Sequence, residues 1–407
     1  MVKFPSERFP PGFFDLPRGS GARLPIDIVE RWTTGSQTRA VARELLEPHV
    51  VEGVVVSSDA AGLTRMTRDR TLVEILAMIN RPKEFVHAWG RAVGGRAIGI
   101  WAADNTTMFY ASQIPAERIV AMLLAMLDQV AADCEVQIGV GAHHGRFFEL
   151  AGGLYGPDAD RIELLAEEHT DGGELVVTDT LIERLGPAHP FGLQPRPDLV
   201  AAFGNVQRVV GGTRLTGVTP DDFRYPVPYS DEFYDGISQR NPLLPRPEYD
   251  RATVVLVERE SEDPDIAEVK VLNNLALTAA MVRIGGELLA EHGGEAIKTF
   301  RLLSIYAFDD AGDAVAFAEA LRATLTGAGI RCRIGVDRGP VLIFDLGNGG
   351  RDIAGDPVNT ASKLAEDLGE LGAIHVTARA SAAAGVTGRG RPQRFAIAGV
   401  DTDVVVL

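Results

Sequence analysis

A polar helix start near the carboxyl end of the chain carries the side chains best suited to chemistry. The stretch RDIAGDPVNTASKL, residues 351–364, follows an apolar run and predicts a Gly/Asn/Asp loop leading into a helix near Val358. Pro357 suits the first turn of a helix, where its missing N–H costs nothing. Asn359 and Lys363 are four residues apart and therefore share one helix face. An amide beside an ammonium group favours binding of phosphate or of developing negative charge, and a capped surface helix is the alternative.

Two aspartates lie at predicted strand ends or turns in the first half of the chain, and the first is well placed to bind a divalent metal ion. Asp59 ends a strand-like apolar run and precedes small residues, over which phosphates can approach the backbone closely. Asp104 lies at the turn of a predicted hairpin. Folding that brings the two carboxylates together creates a site for two divalent ions, Mg²⁺ or Mn²⁺. A polar hairpin turn at residue 104 is the alternative interpretation.

The elements that must position these side chains occur twice. Each half predicts an apolar strand, a long helix, a Gly-Gly turn, a hairpin, a second helix and a further strand. Leu302 follows Asp104 by 198 residues, and Asn359 follows Asp160 by 199 residues. A constant spacing of this kind indicates an internal duplication.

The repeated pattern resembles that of the class III nucleotidyl cyclases. IGVDRG at residues 334–339, followed by RDIAGDPVNTASKL, is similar to the family's IGVxxG and DxxGxxVNxAARL. Lys363 replaces the family's arginine, and Ser362 replaces an alanine. In the first half, DAAGLT from Asp59 resembles the family's metal motif DxxGFT. ADN around Asp104, in place of GDG, gives a looser resemblance to the pyrimidine cyclases of bacterial antiphage (Pycsar) signalling.

The resemblance implies an α+β fold with two tandem ferredoxin-like, palm-type cyclase domains that form an internal pseudo-dimer. We expect an N-terminal arm and helix over residues 1–48 and a domain with the metal-binding aspartates over 49–222. A linker rich in Pro and Tyr follows over 223–250, and a domain with the base-recognition and transition-state residues over 251–407. The helical pattern of residues 25–46 suggests packing on a second copy of the chain or over the first domain.

The family's site roles are implied for one set of residues in each half. They are metal binding by Asp59 and Asp104, phosphate binding by the backbone of Ala60, Ala61 and Gly62, base recognition by Lys298 and Asp352, ribose orientation by Asn359 and charge stabilisation by Lys363. The corresponding positions of the other half are Arg259 (with Glu258 and Glu260 beside it), Leu302, Asp160 and Leu164. The halves therefore keep complementary groups, which predicts one complete site between the domains and one dead site.

The implied reaction converts a nucleoside triphosphate into a 3′,5′-cyclic nucleotide second messenger and pyrophosphate. A lysine–aspartate pair suits a base edge with an acceptor beside an amine, as in adenine and cytosine, and uracil fits if the lysine meets its carbonyl. The product is therefore cAMP or a pyrimidine product, cUMP or cCMP, of antiphage defence. A catalytically silent nucleotide-binding regulatory protein is the alternative, which Lys363 and Ala398, at the family's phosphate-binding lysine, favour.

The amino-acid composition limits the kinds of partner that the protein can bind. The net charge of −16 argues against nucleic-acid binding and against docking on an acidic membrane. No apolar run approaches the roughly 20 residues that span a bilayer, and the N-terminal stretch lacks a signal-peptide core. Cys134 and Cys332 lie in apolar runs, which predicts buried free thiols in the cytoplasm. The expected partners are the nucleotide, a second copy through the N-terminal region, and an effector that reads the product.

Overall fold

The computed structural model describes residues 9–10, 12–14, 16, 24–61, 70–99, 101, 105–220, 223–224, 229–237, 250–347, 349–397 and 399–407. The chain divides into two compact units. We call Leu46–Leu244 the first unit, and Met1–Leu45 together with Pro245–Leu407 the second unit. Each unit combines one mixed sheet with helices, so the predicted α+β class is confirmed.

Strands and helices are numbered along the chain. The strands are β1 (Val50–Ala61), β2 (Arg96–Ala97), β3 (Thr106–Ala111), β4 (Gln137–Leu150), β5 (Gly153–Tyr155), β6 (Leu175–Thr178), β7 (Phe191–Pro195), β8 (Val206–Gly212), β9 (Asp250–Arg259), β10 (Glu295–Phe300), β11 (Leu303–Phe308), β12 (Cys332–Asp345), β13 (Arg351–Ala354), β14 (Ile374–Thr377), β15 (Arg391–Ile397) and β16 (Val400–Val406). The helices are α1 (Ile26–Thr34), α2 (Arg39–Leu46), α3 (Leu72–Ala92), α4 (Ala116–Asp133), α5 (Pro157–His169), α6 (Asp179–Leu185), α7 (Val200–Phe203), α8 (Asp231–Ile237), α9 (Ala267–His292), α10 (Ala311–Gly327), α11 (Asp356–Lys363) and α12 (Ala378–Ala383).

The two units share one sheet topology. The first has the strand order β2-β3-β1-β4-β6-β8-β7 and the second has β10-β11-β9-β12-β14-β16-β15, with β5 and β13 paired to β4 and β12. In each unit the third strand in this order, β1 or β9, is antiparallel to both neighbours, and the next pair, β4–β6 or β12–β14, is parallel. This correspondence confirms the internal duplication.

One helix in each unit packs on the sheet next to the candidate site. In the first unit, Ile162 and Leu165 of α5 pack with Val55 and Phe147 of the sheet. In the second unit, α11 packs in the same way, and its Ala361 joins a core cluster that includes Leu256, Ile305 and Val341. Val54–Val56 of β1 and Val254–Val257 of β9 are buried at every residue, so these strands are covered on both faces.

The hydrogen-bond register shows that β4 and β12 correspond with a different residue spacing from the other strands of the two copies. The Val140 N–H donates to the Glu174 carbonyl, and the Ile334 N–H donates to the Ala373 carbonyl. Val140 is therefore equivalent to Ile334, so the IGV runs of the two halves do not coincide. Leu150 pairs with Gly153, whereas Phe344 pairs with Asp352, so a longer hairpin in the second unit absorbs the difference.

The N-terminal helices belong to the second unit. The Trp32 side chain of α1 is fully buried against α9, and its indole N–H donates to the Asn273 Oδ1 atom at 3.0 Å. The helical pattern predicted over residues 25–46 forms two helices, α1 and α2. The apolar face of α1 is thus covered within its own unit.

Part of the predicted linker packs on the first unit. Tyr229, just before α8, and Tyr234 within it are buried, and the Tyr234 hydroxyl donates to Glu84 of α3 at 2.7 Å. Both cysteines have free thiols, and burial raises the pKa of Cys134 to about 12 and that of Cys332 to about 11. Among the described helices, none is both long and apolar enough to cross a membrane.

We predict that Trp32→Ala lowers the free energy of unfolding by about 3 kcal/mol or more, because it leaves a large cavity and removes a partner of Asn273. Urea denaturation followed by far-UV circular dichroism measures this change. Arg31→Ala, at an exposed position of the same helix, is the matched control and should change stability by about 0.5 kcal/mol or less. Equal effects of the two substitutions would show that α1 is not part of the hydrophobic core of the second unit.

Candidate functional site

Lys298 and Asp352 form an ion pair in the second unit. The Lys298 Nζ atom lies 2.8 Å from the Asp352 Oδ1 atom; the aspartate side chain is 4% exposed and the lysine side chain 33%. Asp352 lies opposite Phe344 in the β12–β13 hairpin, and its Oδ1 atom also accepts the Ile353 N–H at 2.9 Å. The β10–β11 register shifts between Ala296 and Lys298, and a bulge of this kind re-aims a side chain.

Asn359 and Lys363 both lie on the exposed side of α11. The helix begins at Asp356, two residues before the predicted start. Gly355 before it has φ +147°, and a Cβ atom there would approach the Pro340 carbonyl oxygen to 2.8 Å, so glycine is required. The Lys363 Nζ atom lies 2.6 Å from the Asp367 Oδ2 atom, with both side chains at least half exposed. A partner so exposed exchanges readily with a phosphate.

A buried ion-pair network, which the sequence patterns did not reveal, holds the start of α11. Asp337 is fully buried and accepts hydrogen bonds from Thr377 and from the Arg379 Nε atom at 2.7 Å. Arg379 also donates to Asp356, in the first turn of α11, at 2.6 Å. These bonds raise the pKa of Arg379 and keep it charged. The only sequence signal was an aspartate at the end of the IGVD run.

The far end of α11 runs into a wide turn. Residues Leu364–Leu368 form this π-helical turn, and Ser362 donates to Glu366 within it. Burial raises the pKa of Glu366. The Arg333 guanidinium donates to the Glu366 carbonyl at 2.7 Å and to the Ala365 carbonyl at 3.3 Å. The wide turn is thus anchored to β12.

Asp59 stands near the end of β1, in the first unit. The strand continues through Ala60 and Ala61, which pair with Ile138 and Gln137 of β4, so the predicted loop starts later than expected. On the other side of β1, the first residue of β3, Thr106, pairs with Ser58. Asp59 is half-buried at the point where one neighbouring strand has stopped.

The remaining metal and phosphate residues of the prediction, Asp104 and Gly62, lie outside the described residues. Within the described part of the chain, no group of three or more His, Cys, Asp and Glu side chains converges as metal ligands. The donor type at Asp59, a carboxylate at a strand end, suits a hard divalent cation. Gly139 faces Asp59 across the strands, and a Cβ atom there would lie 2.1 Å from the Thr170 Oγ1 atom.

The strand register identifies the residue of the second unit that is equivalent to Asp59, and this residue differs from the predicted one. Ile138 is equivalent to Cys332, and these residues pair with Ala60 and Arg259, respectively. The position of Asp59 therefore falls at Glu258, not at Arg259. The predicted alignment of the two halves was wrong by one residue, because the charged run Glu258–Glu260 contains no glycine or loop that would fix the alignment.

Both residues at this strand end are engaged in the second unit. Arg259 is buried on the opposite face, where it donates to Asn274 and Thr278 of α9, and burial lowers its pKa to about 9. Glu258 pairs with the Arg333 guanidinium at 2.8 Å. Burial outweighs this pairing and raises the pKa of Glu258 to about 7.

In the first unit, the helix positions equivalent to Asn359 and Lys363 carry an acidic and an apolar residue. α5 carries Asp160 at the position of Asn359 and Leu164 at that of Lys363, and Leu164 is 41% exposed. This helix therefore presents neither the amide nor the ammonium group of its counterpart.

Comparison with solved structures identifies the fold. The chain is similar to a class III adenylyl cyclase-like ATP-binding protein from Pseudomonas aeruginosa, with a TM-score of 0.57 and 14% identity over 82% of this chain and 85% of that chain. It is also similar to the adenylyl cyclase CyaB of P. aeruginosa (TM-score 0.36, 14% identity, 41% of this chain and 98% of that chain). A third is the guanylate cyclase domain of RhGC from Catenaria anguillulae in complex with GTP (0.32, 20%, 39% and 96%).

No protein-family model and no curated protein matches the chain. The likeness over most of the chain, together with the duplicated sheet topology, defines a tandem class III cyclase-like fold.

We predict that the free energy of unfolding of the wild type falls relative to that of Glu258→Gln as the pH rises from about 4.5 to about 7. The reason is that the pKa of Glu258 is raised on folding, so the native state holds this proton over that interval while the unfolded state releases it. Urea denaturation at several pH values measures the difference. Glu260→Gln is the control at an exposed neighbour, and a wild-type curve parallel to that of Glu258→Gln would contradict the prediction.

Proposed function

We propose that the protein is a nucleotidyl cyclase that converts a nucleoside triphosphate into a 3′,5′-cyclic nucleotide and pyrophosphate in the cytoplasm. The observation that carries this proposal is the Lys298–Asp352 ion pair. The resemblance to the class III cyclases implies base recognition by these two residues, 54 positions apart, and their charged atoms lie 2.8 Å apart. A largely buried carboxylate beside a partly exposed ammonium group presents an acceptor and a donor side by side.

The proposed base-binding edge is compatible with three bases. Lys298 would donate to a ring nitrogen or carbonyl oxygen, and Asp352 would accept from an exocyclic amine or a ring N–H. Adenine and cytosine offer the first combination, and uracil offers the second. We propose either cAMP, as in general signalling, or cUMP or cCMP, as in antiphage defence, as the product that a downstream effector reads.

In the proposed reaction, the 3′-oxygen of the ribose attacks the α-phosphorus. The new O3′–P bond forms as the bond from that phosphorus to the pyrophosphate leaving group breaks, and the 3′-hydroxyl proton passes to water. Asn359 would orient the ribose, and Lys363 would leave Asp367 to stabilise charge on the α-phosphoryl oxygens. A lysine supplies a point charge without the fork of an arginine, so the orientation must come from elsewhere.

Asp59 and Asp104 would hold two divalent ions, Mg²⁺ or Mn²⁺, and the backbone of Ala60, Ala61 and Gly62 would bind the β- and γ-phosphates. When bound, such ions neutralise phosphate charge and lower the pKa of a coordinated hydroxyl group. The residues of the first unit would thus complement the base-binding and helix residues of the second. This division of roles is supported by the loss of the corresponding side chains at Leu302 and Leu164.

The test is incubation of the purified chain with ATP, GTP, CTP or UTP and Mn²⁺, with products identified by mass spectrometry. We expect one cyclic nucleotide from ATP, UTP or CTP, and a loss of about 100-fold or more in Asp59→Ala, because the metal carboxylate is removed. Asp133→Ala, an exposed aspartate at the end of α4, is the control and should keep full activity. Full activity of Asp59→Ala would overturn the metal assignment.

For Lys363 we expect a kinetic effect on the chemical step. Lys363→Ala should lower kcat about 100-fold with little change in KM, since the lost interaction is made mainly in the transition state. Lys363→Arg should retain most of the activity because the family's own residue is restored. Lys270→Ala, which breaks a surface ion pair with Asp263, serves as the matched control. A change in KM alone would argue against the assigned role.

A second candidate function is nucleotide binding without turnover. It is favoured by the Lys363–Asp367 ion pair, which occupies the ammonium group. The similar P. aeruginosa structure is itself described as a cyclase-like ATP-binding protein. Tight nucleotide binding by calorimetry, with no product from any of the four triphosphates, would select this function.

A further inference from the structure

Arg333 occupies a position that has no side chain in the other copy. It lies opposite Glu258 in the β9–β12 register, as Gly139 lies opposite Asp59 in the β1–β4 register. One terminal nitrogen of Arg333 contacts three acceptors, the Glu258 carboxylate at 2.8 Å and the carbonyls of Ala365 and Glu366. The duplication has therefore placed a guanidinium group at the strand end where the first unit has Asp59 and glycine.

The helix that follows differs between the copies in the same place. In the first unit, α5 is a regular helix from Pro157 to His169, and Thr170 after it comes so close to Gly139 that no side chain fits there. In the second unit, α11 ends at Lys363 and continues as the wide turn Leu364–Leu368. A π-helical turn leaves backbone carbonyls without ordinary helical partners. Arg333 supplies donors to two of them.

The wide turn connects Arg333 to Lys363. Glu366, whose carbonyl Arg333 holds, is followed by Asp367, and the Asp367 carboxylate lies 2.6 Å from the Lys363 Nζ atom. The Leu364 N–H, next to Lys363, is shared among the carbonyls of Thr360, Ala361 and Ser362, which marks the change of helical pitch. The direction of the Lys363 side chain thus depends on how the wide turn is held.

We propose that Arg333 is a positioning residue for Lys363. Its guanidinium, which also pairs with Glu258, fixes the wide turn and with it the ammonium group that the proposed reaction uses. The degenerate metal position of the second copy has thereby become the support for the helix that carries Lys363. This inference rests on the proposed function for the role of Lys363, but the anchoring of the turn is measurable by itself.

The experiment compares Arg333→Gly, which restores the residue of the first copy, with Arg333→Lys and with Arg331→Gly. Arg331 is the matched control, because it is an exposed arginine immediately before the same strand and pairs with Glu260 at 2.6 Å. Each variant is assayed for kcat and KM with the triphosphate that the wild type turns over, with and without millimolar guanidinium chloride. Amide hydrogen exchange of residues 360–370 is measured in the absence of nucleotide, and thermal unfolding checks that each variant is folded.

We expect Arg333→Gly to lose about 10-fold or more in kcat with KM nearly unchanged, since Lys363 is misplaced without losing the base-binding pair. Guanidinium ion should restore part of kcat, and amides of the wide turn should exchange about 10-fold faster. Arg333→Lys should fall between wild type and Arg333→Gly, whereas Arg331→Gly should match wild type. A change in KM alone, or loss of activity that guanidinium does not rescue in a folded variant, would overturn the proposal.

Failure of the proposed function gives a different pattern. If the wild type makes no cyclic nucleotide, the cyclase proposal fails and the role of Arg333 in turnover fails with it. In that case faster exchange confined to residues 364–368 in Arg333→Gly would still support the anchoring of the turn. Unchanged exchange in that variant would reject the anchoring as well.

Discussion

A carboxylate removed from water needs a cation or several hydrogen-bond donors, and the second unit is organised around that requirement. Asp352 is almost fully buried and meets it with Lys298 and a backbone N–H. The pair joins the hairpin β12–β13 to strand β10, whose bulge lies at Lys298. The candidate base-binding pair thus forms because Lys298 compensates the buried charge of Asp352.

The same rule explains the two ends of the helix that carries Asn359 and Lys363. At its start, Asp337 is fully buried and held by Arg379, which also reaches Asp356. At its end, Glu258 is held by Arg333, which also reaches the wide turn. Each arginine therefore pairs with a carboxyl group and attaches the helix to the sheet. Lys363, by contrast, keeps an exposed and weakly held partner, as its proposed role requires.

Comparison of the copies shows how one strand end differs between them. The strand end that carries Asp59 in the first unit carries Glu258 in the second, so a carboxylate persists in both. What differs is the residue opposite, glycine in one case and arginine in the other. The Arg333 guanidinium pairs with Glu258 at 2.8 Å, which leaves that strand end suited to support and not to binding a soluble cation.

Local sequence determined much of this protein. The α+β class, the duplication and the pair Lys298–Asp352 were predictable because strand and helix periodicities and a long motif survive in single sequences. Asn359 and Lys363 were also placed correctly on one helix face. Their assigned roles stay predictions, as do those of Asp59 and Asp104.

The tertiary structure alone decided the rest, because those features depend on contacts between distant segments. A shift of one residue in a charged run changes which side chain faces the site, so the equivalence of Asp59 and Glu258 required the strand register. Arg333 and Arg379 acquire their partners only when β12 meets the wide turn and α12. The packing of α1 on α9 likewise depends on Trp32 meeting Asn273, 241 residues away, and no local pattern encodes such a pairing.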